Sequence, residues 1–476
     1  MKKFGFNPFL PSWEYIPDGE PYLFDGRVYI YGSHDKFNGY AYCMNDYVCW
    51  SASEDDLSDW RYEGVIYKKT DDPFNADGSF HLYAPDVTRG SDGRYYLYYV
   101  LDKMDVVSVA VCGTPAGKYE FYGYVHYAGE VMLGRREGDV PQFDPAVLTE
   151  GEKTWLYSGQ CSGQCKTVED YRAYSTAVIL GPDMLTVQEG PFQIIPGTAA
   201  SKGTGFEGHE FFEASSIRKR GDTYYFVYSS FAMNELCYAT SKSPLKDFVY
   251  GGVIVSNADI YIDNYKPAKK PMYVGGNNHG SIIEIKNKWY VFYHRHTNGN
   301  EFSRHACIEP IEIKEDGSIA QAEMTSCGPN GGPLPGRGEY PAYIACNIFC
   351  MEENEKIMEF YWPRRDPRLP FISQDGKDGD EETGYVTNIQ DNCGIGFKFF
   401  DCRGVKRVGL KTRGYCCGFF EVKTKWDGEV LGKIEVVSSN IWKKFFSEIA
   451  IPDGVNALYF IYRGTLNATV GSFTLG

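Results

Sequence analysis

Five times in the first two thirds of the chain, a polar turn is followed by alternating aromatic and β-branched residues. The phrase appears first as Asp25-Gly26-Arg27-Val28-Tyr29-Ile30-Tyr31 and returns as Asp92-Gly93-Arg94-Tyr95-Tyr96-Leu97-Tyr98. It recurs as Glu152-Lys153-Thr154-Trp155-Leu156-Tyr157, as Gly221-Asp222-Thr223-Tyr224-Tyr225-Phe226-Val227-Tyr228, and last as Asn287-Lys288-Trp289-Tyr290-Val291-Phe292-Tyr293. Each copy has the form of a hairpin turn feeding a strand of period two. Measured between Tyr29, Tyr95, Trp155, Tyr224 and Trp289, the spacings are 66, 60, 69 and 65 residues. A unit of about 65 residues holds a four-stranded antiparallel sheet, and radial repetition of such sheets builds a propeller. The sequence therefore predicts an all-β chain in which residues 1–325 form a five-bladed β-propeller. A two-sheet sandwich also uses regular short strands, but not one phrase at near-constant spacing.

Just upstream of each copy sits a polar residue at a similar offset: Glu20, Asp86, Asp144, Glu213 and His279. The first strand of a propeller blade lines the central channel, so these five positions are expected to converge. Taken singly, each reads as a buried group at the start of a strand, bonded to backbone N–H. As a ring they point to function, because converging carboxylates raise one another's pKa at an electrostatic cost. Composition names a ligand for such a ring. Aromatic residues make up 16 % of the chain, led by 38 Tyr and 30 Phe, and sugar rings stack on such surfaces. The net charge of −15 carries no basic stripe, which argues against a nucleic-acid partner or an anionic membrane surface. No apolar run approaches the roughly 20 residues of a membrane span.

Separated carboxylates between aromatic walls suit hydrolysis of a glycosidic bond. One carboxylic acid protonates the leaving oxygen while a carboxylate activates water on the opposite face of the sugar. A third acid beside the proton donor keeps it protonated near neutrality.

Asn7-Pro8, Gly19-Glu20-Pro21, Phe143-Asp144-Pro145-Ala146-Val147, Phe212-Glu213-Ala214-Ser215 and Gly275-Gly276-Asn277-Asn278-His279 follow one another in that order. Together, from about residue 7 to about residue 320, they resemble glycoside hydrolase family 43, five-bladed propeller enzymes that act on arabinoxylan and related plant polymers with inversion. The resemblance implies that Asp144 tunes the acid, that Glu213 is the proton donor, and that a first-blade carboxylate is the general base. Relatives have Asp immediately before the proline, where this chain has Glu20, with Asp18 two residues earlier. Residues i and i+2 of a strand face the same side, so both stand as candidates for the base, Glu20 first because its proline aligns it and Asp18 beside it because it has the expected side-chain length. The resemblance also implies that His279 lies beneath the site where many relatives bind a structural calcium ion, and that Arg304 is directed at the substrate. Tyr83, Phe143, Phe212 and Trp13 are candidates for the sugar platform. His34, at the end of the first aromatic strand with Asp35, is a candidate for shaping the pocket.

Residues 328–340 are rich in glycine and proline and read as a linker. Beyond it the repeated phrase gives way to short alternating runs around 397–400, 419–423, 432–437 and 457–462, which predict a β-sandwich of jelly-roll type over residues 341–476. Its last sixty or so residues resemble a family 6 carbohydrate-binding module. The N-terminus has two lysines but no apolar stretch behind them, so the expectation is a cytoplasmic protein with its 14 cysteines reduced. Cys161/Cys165 and Cys416/Cys417 lack zinc-ligand spacing and read as small hydrophobes. The resulting expectation is an exo-acting enzyme that releases arabinofuranose or xylose from arabinoxylan-derived oligosaccharides. A carbohydrate-binding propeller without catalysis is the alternative that Glu20 leaves open.

Overall fold

Each copy of the repeated phrase becomes the second strand of its own antiparallel sheet. The structure is a computed structural model and describes residues 5–161, 171–351 and 367–476, so Cys165 lies outside the described residues. Glu20–Phe24, Arg27–Tyr31, Tyr47–Ser53 and Asp56–Tyr67 pair in chain order to make the first sheet. The second sheet begins with Asp86–Arg89 and Tyr95–Tyr99, the third with Ala146–Glu150 and Lys153–Ser158, and the fourth with Phe211–Arg220 and Thr223–Ser230. Each of these also has four strands in chain order, whereas the fifth has three: Ser281–Ile285, Lys288–His296 and Arg304–Ile311. Helix among the described residues is limited to 3-10 turns of three residues.

The polar turns work as expected. Asp25 (φ 49°) and Gly26 (φ 78°) both take the left-handed conformation that a two-residue hairpin turn demands, and Lys286 (φ 49°) with Asn287 (φ 62°) does the same in the fifth sheet. The strands that follow are aromatic on both faces because both faces are covered. In Tyr95–Tyr99 every residue is buried. Tyr95, Leu97 and Tyr99 pack with Tyr47 and Tyr67 of the first sheet, while Tyr96 and Tyr98 pack with Leu156 and Val178 of the third. Period two thus divides one strand between two inter-sheet cores.

The leading strands meet in cyclic order. The second touches the third, the third the fourth, the fourth the fifth, and the fifth the first. Tyr22, which donates its hydroxyl to Asp86 Oδ1 at 2.7 Å, joins the first to the second. Among the described residues the fifth sheet has no fourth strand and is bordered instead by the segment around Asn7. Fully buried, Asn7 donates from Nδ2 to the Ile308 carbonyl (2.8 Å) and to Glu309 Oε1 (2.8 Å), and its Oδ1 accepts the Ile308 N–H (2.9 Å). Phe9 N–H bonds Ala306 O at 3.2 Å. A polar side chain here does the work of a strand backbone.

Two six-stranded sheets follow. One carries Cys393–Cys402, Gly454–Thr465, Cys417–Lys423 and Gly432–Val436, and the other Tyr385–Ile389, Ala468–Leu475, Arg407–Gly414 and Ser439–Glu448. Ile395, Phe397, Phe420, Phe460 and Phe473 belong to the apolar core they share. The Gly/Pro-rich segment expected as a linker is instead built into these sheets. Leu334–Pro335 pairs with Cys393–Cys402, Gly338–Pro341 pairs with Ala468–Leu475, and the Tyr340 ring stacks on Phe473 at 5.5 Å. Proline and glycine are compatible with edge strands, so composition alone did not distinguish the two cases.

Against the expectation of reduced thiols, Cys350 and Cys393 form a disulfide. They stand directly opposite each other where Asn347–Cys350 pairs with Cys393–Cys402. Lys398 ties the later sheets to the earlier ones. Its buried ammonium lies 2.8 Å from both Asp259 and Glu323 and sits over the Tyr265 ring.

Replacing Asn7 by Ala leaves the Ile308 N–H and carbonyl without partners in the interior. A loss of about 2–3 kcal/mol in unfolding free energy is expected, measured by urea denaturation, because each buried unsatisfied group costs on the order of 1–3 kcal/mol.

Candidate active site

Where the leading strands converge, a cavity of about 450 Å³ opens. Its floor carries Asp18, Asp144, Glu213, His279 and Arg304, and its walls include Tyr42, Tyr83, Phe143, Phe212 and Phe231. Every floor residue is at least nine-tenths buried. Tyr83 meets Phe143 edge to face at 5.6 Å, and Phe212 meets Phe231 the same way at 5.8 Å. Such rings give a sugar apolar faces while carboxylates wait below.

The backbone at the floor is unusual. Asp18 (φ 58°), Asp144 (φ 43°) and Ala214 (φ 67°) all adopt left-handed conformations, which cost non-glycine residues on the order of 1–3 kcal/mol and cluster at functional sites. This answers the question of the first sheet. The strand begins at Glu20, and Asp18 lies before it in left-handed backbone, so strand alternation does not extend to Asp18. The expectation that both carboxylates share one face is therefore corrected: Asp18 lines the cavity and Glu20 does not. Glu20 accepts hydrogen bonds from Arg218 Nη2 (2.5 Å) and Ser216 Oγ (3.1 Å) in the layer behind His279. Asp86 joins Glu20 in that layer. It is bonded by the Tyr22 hydroxyl and by the N–H groups of Val87 and Val147, as expected of a structural group at the start of a strand.

Arg304 organises the floor. Its Nε and Nη2 donate to the two Asp35 oxygens at 2.8 and 3.0 Å, and Nη1 donates to Asp18 Oδ1 at 3.1 Å. The guanidinium also sits 4.6 Å from the Tyr42 ring centre. Burial works to raise the Asp18 pKa, but the Arg304 charge and the His294 hydrogen bond outweigh it and hold the carboxyl well below the usual range. Glu213 is in the opposite state. Burial pushes it up to about 7, against the opposing hydrogen bond from Gln160 Nε2 (2.7 Å). Burial, and then the Glu213 charge, raise Asp144 well above the ordinary carboxylate range, although its Oδ2 accepts the Ala214 N–H at 3.1 Å. His279, whose Nδ1 is 3.6 Å from Asp144 Oδ2, is driven by burial down to about 4 and is neutral at pH 7.

Of the residues singled out from sequence, Asp18, Asp144, Glu213, His279, Arg304, Tyr83, Phe143 and Phe212 come together. His34 and Trp13 are not among the lining residues. His34 is occupied by Glu14 Oε1 (2.9 Å) and the Asp46 carbonyl (2.8 Å). Tyr42, Gln160, Phe231, Met233 and Asn277 also line the cavity and had no signal in the repeat, since they come from turns and loops. The loop bearing Tyr42 and Cys43 is held from outside. Asp378, between the strands Phe371–Ser373 and Tyr385–Ile389, accepts the Phe37 N–H (2.6 Å) and Asn45 Nδ2 (3.0 Å).

A cleft in which one carboxylate is held ionised while a neighbouring pair holds its protons defines an acid–base hydrolase site. The family model for glycosyl hydrolases family 43 matches residues 12–319. Over all 476 residues the chain is 67 % identical to a xylosidase/arabinosidase of Thermoclostridium stercorarium, covering 99 % of that protein. Among solved structures, a family 43 arabinoxylan arabinofuranohydrolase from Bacillus subtilis superposes with a TM-score of 0.52 at 21 % identity, covering 98 % of this chain and 97 % of that one. A family 43 β-xylosidase/α-arabinofuranosidase from a compost metagenome, solved with xylotriose in a calcium-free form, gives 0.51 at 27 % identity, covering 66 % of this chain and 96 % of that one. The chain belongs to glycosyl hydrolase family 43 and is a glycoside hydrolase.

Because Glu213 must carry its proton to act as an acid, kcat/KM is expected to fall as the pH rises through about 7. Asp18 adds no acid limb near neutrality, since it stays ionised there. Asp378→Ala frees the Tyr42 loop and is expected to raise KM about tenfold, equivalent to about 1.4 kcal/mol, with kcat little changed. Initial-rate kinetics over a pH series measure both.

Proposed function

We propose that the protein is an inverting, exo-acting hydrolase that removes α-L-arabinofuranose, β-D-xylose or both from arabinoxylan-derived oligosaccharides. The observation that carries this reading is the division of labour on one cavity floor: Asp18 ionised beside Arg304, Glu213 protonated beside Asp144. In this mechanism the glycosidic C–O bond breaks toward the leaving oxygen, which takes the Glu213 proton. A water molecule attacks the anomeric carbon from the other face and gives its proton to Asp18. Arg304 keeps Asp18 ionised and oriented, and Asp144 keeps the acid's proton in place. The aromatic walls exclude water and present the sugar.

The five successive sheets, with leading strands meeting in cyclic order, support five propeller blades over residues 1–325. The two six-stranded sheets support a β-sandwich over residues 341–476. The contact of that second unit with the Tyr42 loop supports a role in shaping the pocket. A calcium ion behind the floor belongs to the same proposal. His279 Nε2 and Glu20 Oε1, 3.8 Å apart, are buried polar atoms without hydrogen-bond partners, donors that fit a hard cation and its water. His279 and Glu20 would hold it, and it would supply fixed positive charge beneath Asp144. The non-catalytic alternative loses its support, since the carboxylate it took as substituted is not the one that faces the cavity.

Release of nitrophenol from 4-nitrophenyl α-L-arabinofuranoside and from the β-D-xyloside tests the activity, and the first-formed anomer seen by NMR tests inversion. Glu213→Gln and Asp18→Asn are each expected to lower kcat by about 10²- to 10⁴-fold with oligosaccharide binding retained. Glu20→Gln is expected to lower stability more than kcat. A fall in Glu20→Gln equal to that in Asp18→Asn would return the base to Glu20.

A further inference from the structure

On the flank of the fourth sheet, away from the cavity floor, three side chains of metal-ligating type face one another. Nδ1 of His209, a carboxylate oxygen of Glu235 and Sγ of Cys237 lie within 4.8 Å of one another. We propose that His209, Glu235 and Cys237 form a binding site for a zinc-type divalent cation, and that the ion braces one wall of the substrate cavity. The proposal stands independently of which glycoside is cleaved.

The chain builds the cluster from two adjacent places. Glu235 and Cys237 are the first and third residues of the strand Glu235–Ser241, so their side chains leave the same face. His209 precedes the strand Phe211–Arg220, where its carbonyl accepts the Tyr228 hydroxyl at 2.7 Å and its ring stacks on Tyr250 at 4.8 Å. Both residues of the strand are fully buried, while the His209 side chain is 26 % exposed and leaves a route from solvent.

Glu235 is the residue that calls for a cation. Its Oε2 is crowded: His209 Nδ1 lies at 2.8 Å, Ser230 Oγ donates at 2.8 Å, and Cys237 Sγ lies at 3.5 Å. Its Oε1 is buried and accepts no hydrogen bond. Burial raises the Tyr261 phenol, and the charge of Glu235 and a hydrogen bond to its carboxylate add to the rise, yet no partner meets Oε1 within hydrogen-bond geometry. An interior carboxylate with one orphaned oxygen is costly, and a protonated His209 offsets its charge from one side alone.

One nitrogen, one sulfur and one oxygen donor suit zinc, which takes three protein ligands and leaves a fourth position to water. A thiolate donor disfavours calcium or magnesium. On binding, the Cys237 thiol proton passes to solvent and the sulfur bonds the metal, so affinity rises with pH. The consequence for function lies in the turn between Ser230 and Glu235. Its Phe231 and Met233 line the substrate cavity, and both ends of the turn converge on the cluster.

The test uses the full-length protein after chelator treatment and dialysis, titrated with Zn²⁺ and, in parallel, with Co²⁺. One equivalent of zinc retained through gel filtration is expected. The cobalt form is expected to show thiolate-to-metal charge-transfer absorption, which a cation held only by imidazole and oxygen groups near His279 does not give. His209→Gln, at a partly exposed position that tolerates change, should weaken zinc binding at least tenfold, and Cys237→Ala should abolish the thiolate band. Failure to retain zinc, absence of the band, or a band undiminished in His209→Gln would each overturn the site.

Discussion

The buried guanidinium of Arg304 sets the electrostatics of the whole site. Taking a charge out of water costs several kcal/mol, and a protein tolerates it where hydrogen bonds and counter-charges are close. Arg304 has both: two bonds to Asp35, one to Asp18, and the Tyr42 face alongside. Four carboxyl groups crowd this space, and His279, neutral at pH 7, adds no second cation. Asp35 and Asp18 take the guanidinium. Asp144 and Glu213 are left in the interior, where burial raises both pKa values, helped by the Glu213 charge at Asp144 and by the Asp18 charge at Glu213. In the proposed mechanism, a cation placed asymmetrically among four acids, with the His294 hydrogen bond at Asp18, separates a base from an acid without the residues themselves differing in type.

The layer behind the floor repeats this arithmetic with a different outcome. Arg218 is the cation there, bonded to Glu20 and stacked over Tyr22 at 4.4 Å. Burial, opposed by Arg218, leaves Glu20 at about 8 and Asp86 at about 6. Neither acid lines the cavity, and both are bonded to backbone or side-chain donors that join the converging strands. His279 stands between the layers, 3.8 Å from Glu20 and 3.6 Å from Asp144. Two groups of acids therefore lie on either side of His279: an outer one that lines the cavity and an inner one bonded to Arg218 and the strand backbone.

That arrangement explains what was legible in the sequence. The repeat could be read because every aromatic strand serves two cores, and period two is the only pattern that feeds both. Asp144 and Glu213 could be read because they sit at similar offsets from strands the repeat had already located, whereas Arg304 was indicated only by the family resemblance. Asp18 stood behind Glu20 because the proline aligned Glu20 and strand parity put both on one face, but parity holds only while the backbone is extended, and φ of 58° at Asp18 ends it. Gln160, Tyr42 and Phe231 gave no signal, since turns carry no period and their direction depends on what packs behind them. The segment 328–340 misled for a related reason: glycine and proline mark the edges of sheets as readily as the gaps between them.

What packs behind the turns differs from what holds the floor, and this separates selectivity from chemistry. The floor is fixed by strands and by Arg304, all within the cyclic array of sheets. The wall bearing Tyr42 and Cys43 is held by Asp378 from the later sheets, and the wall bearing Phe231 and Met233 is anchored at Ser230 and Glu235 on the outer flank of the fourth sheet. In the proposed mechanism, arabinofuranose and xylopyranose present the same anomeric chemistry to Asp18 and Glu213 but different outlines to the walls. A shift of either wall changes which sugar fits while leaving the proton inventory of the floor untouched. Discrimination between two pentoses is worth only about 1–3 kcal/mol in a pocket of this kind, less than the floor's own electrostatic terms. It can therefore be carried by loops braced from outside without disturbing the acid and base.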